Sequence, residues 1–361
     1  MENGSGHTFR KFLGKQAGRL ALLASLVAVG WLWVCCIATW IPCDSHPYIS
    51  LITFTFPVAL VVSMMLTLIV LLVRPRWVWI PLVGILLCWG YIMDYCPLGW
   101  GGEVRPEGLK VVSWNTRYLG GDANRDEAED YLKNLDADII CLQETITSSD
   151  KFSDFVSEMK RLGYEHHCDK GKALFTRLHI LETDTLVYDT RSNGSRWYLL
   201  ARDGDTVLVV NNHLESNHMS VDVKEKYGEA LDRPDYQHVK RSGRSMLPLM
   251  VQSARYRGGQ ARVVRDFVKE NRDRHVIVCG DFNDTPVSYA YQTLARRMKN
   301  AFRESGSGLG VSYNEKGFWV RIDHLFFSSE GRSHHTFIDR SIGVSDHFPI
   351  VSWVDFKQNQ Q

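Results

Sequence analysis

Residues 20–41 and 49–73 contain no charged side chain. An α-helix needs about 20 consecutive apolar residues to cross the hydrocarbon core of a bilayer, so each stretch is long enough to be a membrane span. A third apolar run, 77–93, is slightly short and ends at Asp94. Pro57 and Pro81 fall inside these runs, where proline is tolerated because neighbouring helices re-satisfy the freed backbone groups. The first run is longer than a signal-peptide core, and further apolar runs follow it. The pattern predicts an N-terminal tail of residues 1–19 and three membrane helices, at about 20–41, 49–73 and 77–95.

The charges flanking these runs predict orientation. Arg10, Lys11, Lys15 and Arg19 precede the first run, Arg74 and Arg76 separate the second from the third, and the intervening loop 42–48 carries Asp44 with no Lys or Arg. Basic flanks stay in the cytoplasm, which places the N-terminus and the Arg74–Arg76 turn there. With three spans, everything after about Cys96 lies outside the cytoplasm, on the periplasmic or extracellular side. Cys43 and Cys96 then fall on one side, which permits a disulfide between them without requiring one. The cysteines as a group match no zinc spacing.

The remaining chain carries nearly all the charge, yet the formal net charge is only +1. That balance argues against a globally basic nucleic-acid binder and against an acidic solvating tail. Residues 97–108 (PLGWGGEVRPEG) are rich in Gly and Pro and read as a short tether. Apolar runs at 109–114, 139–142, 173–176, 179–187, 197–202, 206–212, 276–279, 320–327 and 335–338, and after 350, predict strands. Helical spacing at 126–135, 151–162, 259–271 and 289–298 predicts helices between them. The polar stretch 215–252, with Lys224, Lys226, Arg233, Lys240, Arg241 and Arg244, reads either as a basic surface for a polyanion or as a solvated, partly ordered loop. Hairpin signals mixed with strand–helix units predict a sheet-rich α+β domain over 109–361.

Many of these strands end in residues suited to metal and phosphate chemistry. Residues 276–286 (VIVCGDFNDTP) show this most plainly: four apolar residues, a breaking Gly280, then Asp281, Asn283 and Asp284. Alone this is an ordinary Asx-rich turn. It recurs, however, as Asn115, Glu144, His213, Asp323 with His324, and Asp346 with His347. Convergent charges are costly unless a metal or partner compensates them.

SWN at 113–115, QET at 143–145, NNHLE at 211–215, GDFND at 280–284, RIDH at 321–324 and SDHFPI at 345–350 resemble, in order, the motifs of the endonuclease/exonuclease/phosphatase superfamily. The resemblance covers about 109–353 and leaves the apolar runs outside. It implies a deoxyribonuclease-like four-layer α/β/β/α sandwich and a divalent-metal phosphohydrolase, using Mg²⁺ with Mn²⁺ as a substitute. It implies that Glu144 is the main metal ligand, with Asn115 touching metal or phosphate and Asp346 adding a second acidic group. Asp281 and Asn283 would orient the attacking water and the phosphate. His347 would be the catalytic histidine, with Asp323 fixing its tautomer, and His213 would bind a phosphoryl oxygen. Apart from the resemblance, Arg117, Lys172, Arg255 and Arg257 read either as phosphate contacts or as solvated surface cations. His324 stands where several members carry an aromatic. Whether Asp281 or the His347–Asp323 pair takes the proton of the water is left open, because His347 titrates ordinarily near roughly 6.5 and Asp281 would need a raised pKa.

The motifs specify phosphate-ester hydrolysis and leave three substrates: lipid head groups, in the manner of neutral sphingomyelinases, extracytoplasmic nucleic acid, or inositol-type phosphomonoesters. A membrane scaffold with an inactive hydrolase domain is the non-enzymatic alternative, and the retained Glu144, Asp281 and His347 argue against it. The expected partners are the ester substrate and the lipid bilayer, with no obligate protein partner.

Overall fold

The computed structural model describes residues 3–99, 108–119, 121–146, 149–202, 204–315 and 317–356; most of the expected tether lies outside them. The apolar third folds as α1 (Asn3–Ala38), α2 (Ile49–Phe54), α3 (Phe56–Val73), α4 (Trp79–Leu86) and α5 (Trp89–Tyr95). Two helices, Lys15–Ala38 and Phe56–Val73, are long and apolar enough to cross a membrane. Their outer faces expose Leu23, Val27, Val58, Val61, Met65, Leu68 and Leu72, while Ser25 and Thr67 meet inside the pair at 3.2 Å. The third segment departs from the single helix expected over 77–95. It is two short helices bent by 62°, with Cys88 outside helical geometry at φ −92°, ψ 8°. Gly84 packs against Val29 and Trp33 of α1, and the Trp40 indole donates to Tyr91 at 2.9 Å. Beyond the bend Asp94 is held by Arg303 and Gln292, so tertiary contacts redirect the last turns of this segment.

Arg74 donates to the carbonyl of Lys15, which puts the two basic flanks at one end of the bundle. The other end is docked on the soluble domain. Arg262 pairs with Asp44 at 2.5 Å, the Cys43 thiol donates to the carbonyl of Ala254, and Arg303 pairs with Asp94 at 2.7 Å. Arg296 lies over the Trp40 ring at 3.7 Å. Cys43 and Cys96 are both free thiols, so the disulfide the sequence permits is not formed.

Among the described residues of the soluble domain, two six-stranded sheets pack face to face. One has the order β13-β14-β1-β2-β4-β3, built from β1 (Leu109–Asn115), β2 (Ile139–Gln143), β3 (Glu165–Asp169), β4 (Lys172–Thr176), β13 (Arg332–Ile338) and β14 (Ile350–Asp355). The other has the order β5-β6-β7-β8-β12-β9, from β5 (His179–Leu186), β6 (Gly194–Arg202), β7 (Asp205–His213), β8 (His275–Asp281), β9 (Lys299–Asn300) and β12 (Asp323–Phe327). A separate hairpin pairs β10 (Tyr313–Glu315) with β11 (Phe318–Val320).

The central strands read as unbroken apolar runs because both of their faces are covered. Val111, Ile139, Cys141, Val207, Val209, Ile277 and Cys279 fill the space between the sheets. Their neighbours Val112, Ile140 and Leu142 face the helices α6 (Gly121–Asn134) and α7 (Asp150–Arg161). Leu208, Val210, Val276 and Val278 face α9 (Tyr236–Glu270) and α10 (Tyr289–Ala295). The layers therefore run helix, sheet, sheet, helix, with α11 (Ala301–Ser305) at the edge.

Residues 215–252, open in the sequence between a basic surface and a solvated loop, are largely helical. They form α8 (Val221–Asp232) and the first part of the 35-residue α9. The Asp235 carboxylate caps α9 by accepting from the amides of Gln237 and His238, Tyr227 stacks on Phe318 with centroids 4.3 Å apart, and the buried Arg257 of α9 pairs with Asp284. Gly243 and Pro248 interrupt the apolar spacing of α9 in the sequence, and these long-range contacts override them.

Candidate active site

The strand pairings put the functional residues at one end of both sheets. β1 and β2 run parallel, with Asn115 opposite Gln143, and Glu144 follows immediately. β7 and β8 run parallel, with His213 opposite Asp281, and antiparallel β12 brings Asp323 opposite Asp281. Gly280 makes that junction possible. Its φ is +133°, and a Cβ there would sit 1.9 Å from the carbonyl oxygen of Asn212. Glu144 and Asn283 (both φ 52°) and Arg117 (φ 44°) also occupy the left-handed region, a strain that costs about 1–3 kcal/mol per residue and clusters at functional sites.

Asn115 is the hub. Its amide nitrogen donates to Glu144 Oε1 at 3.1 Å and to Asp281 Oδ2 at 3.0 Å, holding two carboxylates toward one point. His213 Nε2 lies 3.5 Å from Glu144 Oε1 and 3.6 Å from Asp281 Oδ2. His347 Nδ1 pairs with Asp323 Oδ2 at 2.8 Å, which aims Nε2 at Asp281 Oδ2, 3.7 Å away. The Trp114 indole donates to the carbonyl of His347 at 2.9 Å, and the Tyr313 ring packs on the imidazole at 4.8 Å. Asn283 donates its backbone amide to Asp281 Oδ1 and its side-chain amide to the carbonyl of Leu214. Arg117 pairs with Asp346 at 3.4 Å, and both line the cleft that contains Glu144, Asp281, Asn283 and His347, a cavity of about 350 Å³. The expected residues thus converge, with Asp346 engaged by Arg117 and with Asn115 acting as a bridge between carboxylates.

Electrostatics divides the roles. Burial lowers the basicity of His347, but the Asp323 and Asp281 carboxylates outweigh it and push its pKa up to about 10. Burial is also the largest influence on Asp281 and, with Asp323 nearby, raises it to about 7 against the opposing effect of His347. His213 is driven down to about 3, chiefly by burial and then by Lys172, so it stands neutral at neutral pH. His324 is likewise lowered to about 3 by burial. Its Nε2 donates to the carbonyl of Asp284, and the ring packs between Phe282 and Tyr291, a structural role beneath the site. Arg257 is fully buried against Asp284 and the carbonyl of Glu215, and so is not a surface phosphate contact.

Several supporting residues had no role assigned from the sequence, although Gln143, Asn211 and Ser345 lie inside the motifs. Gln143 donates to Asn211 at 2.7 Å across the two sheets, and Ser345 donates to the carbonyl of Asn115. Ser312 accepts from the backbone amides of Ile322 and Asp323. A buried polar pair on two distant strands is visible only once the strands are stacked.

The donor set suits a hard divalent cation, which favours carboxylate oxygen. Asp281, Asp323 and His347 offer ligand atoms within 4.8 Å of one another, and Glu144 joins Asp281 through Asn115. His213 Nε2 and Asp323 Oδ1 are buried without a hydrogen-bond partner among the described residues, which is costly unless something else satisfies them. The residues present therefore fit the group.

The model of the Endonuclease/Exonuclease/phosphatase family matches residues 112–347, more than half of the chain. The chain belongs to this family. A second family model, a domain of unknown function (DUF8431), matches residues 18–95. No curated protein matches the chain. Among solved structures, the human nocturnin catalytic domain with bound sulfate is similar at 17% identity and a TM-score of 0.50, over 70% of this chain and 95% of that one. An endonuclease/exonuclease/phosphatase from Bacteroides vulgatus is similar at 17% identity and a TM-score of 0.49, over 69% and 99%. A humanised D. rerio TDP2 follows at 19% identity and 0.48, over 69% and 99%. The nocturnin likeness is one of fold. Members of the endonuclease/exonuclease/phosphatase family hydrolyse phosphate ester bonds with divalent metal ions, and this chain keeps the residue types such chemistry needs in one cleft.

Proposed function

We propose that the protein is a membrane-anchored, Mg²⁺-dependent phosphohydrolase that cleaves a phosphodiester by in-line attack of water. The observation that carries this reading is the Asn115-bridged pair of Glu144 and Asp281 beside the Asp323–His347 couple. Glu144, with Asn115 and Asp346, would hold the divalent cation beside the Asp281–Asp323–His347 cluster, and the cation would supply charge neutralisation at the phosphoryl oxygens. The raised pKa of Asp281 makes it the acceptor of the proton of the water, as the water oxygen bonds to phosphorus and the bond to the leaving oxygen breaks. The departing alkoxide takes a proton from solvent, giving an alcohol and a phosphomonoester. His347, kept protonated by Asp323, stabilises the negative charge that builds on the phosphoryl group. Neutral His213 and the amide of Asn283 hold its oxygens, while Arg117 at the mouth of the cleft is engaged by Asp346.

Apolar helices with exposed Leu, Val and Met side chains support insertion in a bilayer. The basic flanks Lys15 and Arg74 lie at the opposite end from the docked domain, which supports a cytoplasmic N-terminus and a catalytic domain outside the cytoplasm. The purified full chain should turn over at least one of a panel of vesicle lipids, phosphoinositides, plasmid DNA and RNA with Mg²⁺ or Mn²⁺, and EDTA should abolish that turnover. Turnover undiminished by EDTA would overturn the metal assignment, and no turnover of any ester would favour the inactive scaffold.

A further inference from the structure

The cleft that holds Glu144, Asp281 and His347 has a second, apolar wall. Phe54, Met219, Met250, Phe318, Val320 and Ile322 line the same cavity, and Phe54, Met219, Met250, Phe318 and Val320 are half-buried rather than sealed in the core. These side chains come from separate parts of the chain. Met250 lies on α9, Phe318 and Val320 on β11, and Ile322 just ahead of the Asp323 that pairs with His347. Phe54 is the last residue of α2 and is joined through Thr55 to α3, the apolar helix long enough to cross a membrane. Phe54 alone of these six lies outside the residues that the family model matches, so the contribution of the apolar helical unit to the wall is an addition to the family domain. The active-site cleft therefore continues onto the apolar helical unit.

The charges in the cleft point the same way. Besides the His347 imidazolium at the catalytic cluster, two of the lining residues, Arg117 and Lys224, are cationic. Arg117 is paired with Asp346 and Lys224 with Glu315. A polyanion draws most of its affinity from cations free to neutralise successive phosphates, and neither of these is free. A single phosphate bearing a hydrocarbon chain matches the surface better, because the phosphate meets Asn283, His213 and the metal-binding carboxylates while the chain removes Phe54 and the two methionines from water. Docking also fixes the direction of entry. Asp94 receives Arg303 and Gln292 Nε2, both at 2.7 Å, and Arg321 donates to the carbonyls of Asp94 and Tyr95. The cleft and α2 are thereby held in one orientation, and α2 packs against α9.

We infer that the substrate is a long-chain lipid phosphodiester drawn from the bilayer, with its hydrocarbon chain lying on Phe54, Met219, Met250 and Phe318 while its phosphate reaches the catalytic cluster. This assignment rests on the phosphohydrolase reading above and names its substrate class.

A chain-length series tests it with the full-length protein and Mg²⁺. The substrates are glycerophosphocholine, its dihexanoyl ester below micelle-forming concentration and its dioleoyl ester in vesicles, with the ethanolamine and glycerol head groups run in parallel and single-stranded DNA as the competing polyanion. For at least one head group, kcat/KM should rise by about 10²-fold or more from the bare head group to the long-chain lipid, since each buried methylene adds to binding. Phe54→Asp should cut that rise to less than about 10-fold, with its thermal melt confirming a folded protein. Turnover that depends on Mg²⁺ but not on chain length, or that favours DNA, would overturn the lipid assignment and leave the hydrolase reading standing. A chain-length preference that survives Phe54→Asp in a folded protein would overturn the apolar wall. No turnover of any ester would overturn both.

Discussion

Asp281 and Glu144 share one donor, the Asn115 amide, and that single side chain explains how two carboxylates stand together at the end of buried strands. Because Glu144 and His347 act in the transition-state charge balance, Glu144→Ala and His347→Ala should each lower kcat/KM by about 10²-fold or more while leaving the fold intact, as steady-state kinetics and circular dichroism can show together. A loss under about 5-fold would remove the residue from the machinery. The histidine makes a sharper prediction. Opposite charges favour the imidazolium, so the pKa of His347 is raised to about 10, and in EDTA at about pH 8 the ring should carry both protons. Asp323→Asn removes the largest raising influence and should leave the ring neutral at the same pH. Ring ¹⁵N NMR distinguishes these states, and a neutral His347 in the unaltered protein would contradict the assignment. Asn115, Glu144 and Asp281 were legible in the sequence because each stands at the end of an apolar strand, and Asp323 and His347 because each stands at the start of one or just ahead of it. Their division of labour was not, since it depends on Asp323 and Asp281 approaching one imidazole from separate strands.

At the scale of the elements, β7 and β8 approach so closely beside the site that Gly280 has no room for a side chain. Gly280→Ala should displace Asp281 relative to His213, lowering activity by about 10-fold or more and stability by about 1–3 kcal/mol through strain at a positive φ. Activity and chemical denaturation of the variant measure both, and a variant indistinguishable from the parent would contradict the register. The strands were readable from periodicity because both faces of each central strand are buried. β3 was missed, and its sequence EHHCD shows why: a half-buried edge strand carries no apolar run. α8 and the start of α9 were missed for a related reason, since Tyr227 on Phe318 and Arg257 on Asp284 supply the ordering from elsewhere in the chain.

Across the whole molecule, the apolar bundle and the hydrolase domain form a docked unit. Asp94 is buried among Arg303, Gln292 and Tyr291, and the loop 42–48 reaches the domain through Cys43 and Asp44. Asp94→Ala removes the partner of Arg303 and leaves the Tyr291 hydroxyl without its acceptor, and should weaken the docking by about 1–3 kcal/mol, seen as faster proteolysis in the segment that follows Cys96. The sequence gives no hint of this interface, because Asp94 reads there only as the end of an apolar run. Protease added to intact cells or spheroplasts should remove the domain, and full protection would reverse the outward orientation. The central claim is that this cleft hydrolyses phosphate esters through Asp281, and its most direct measurement is ester turnover by the full-length protein and by Asp281→Ala, side by side in Mg²⁺. The account predicts turnover that falls by about 10²-fold or more in the variant; equal rates from the two proteins would contradict it.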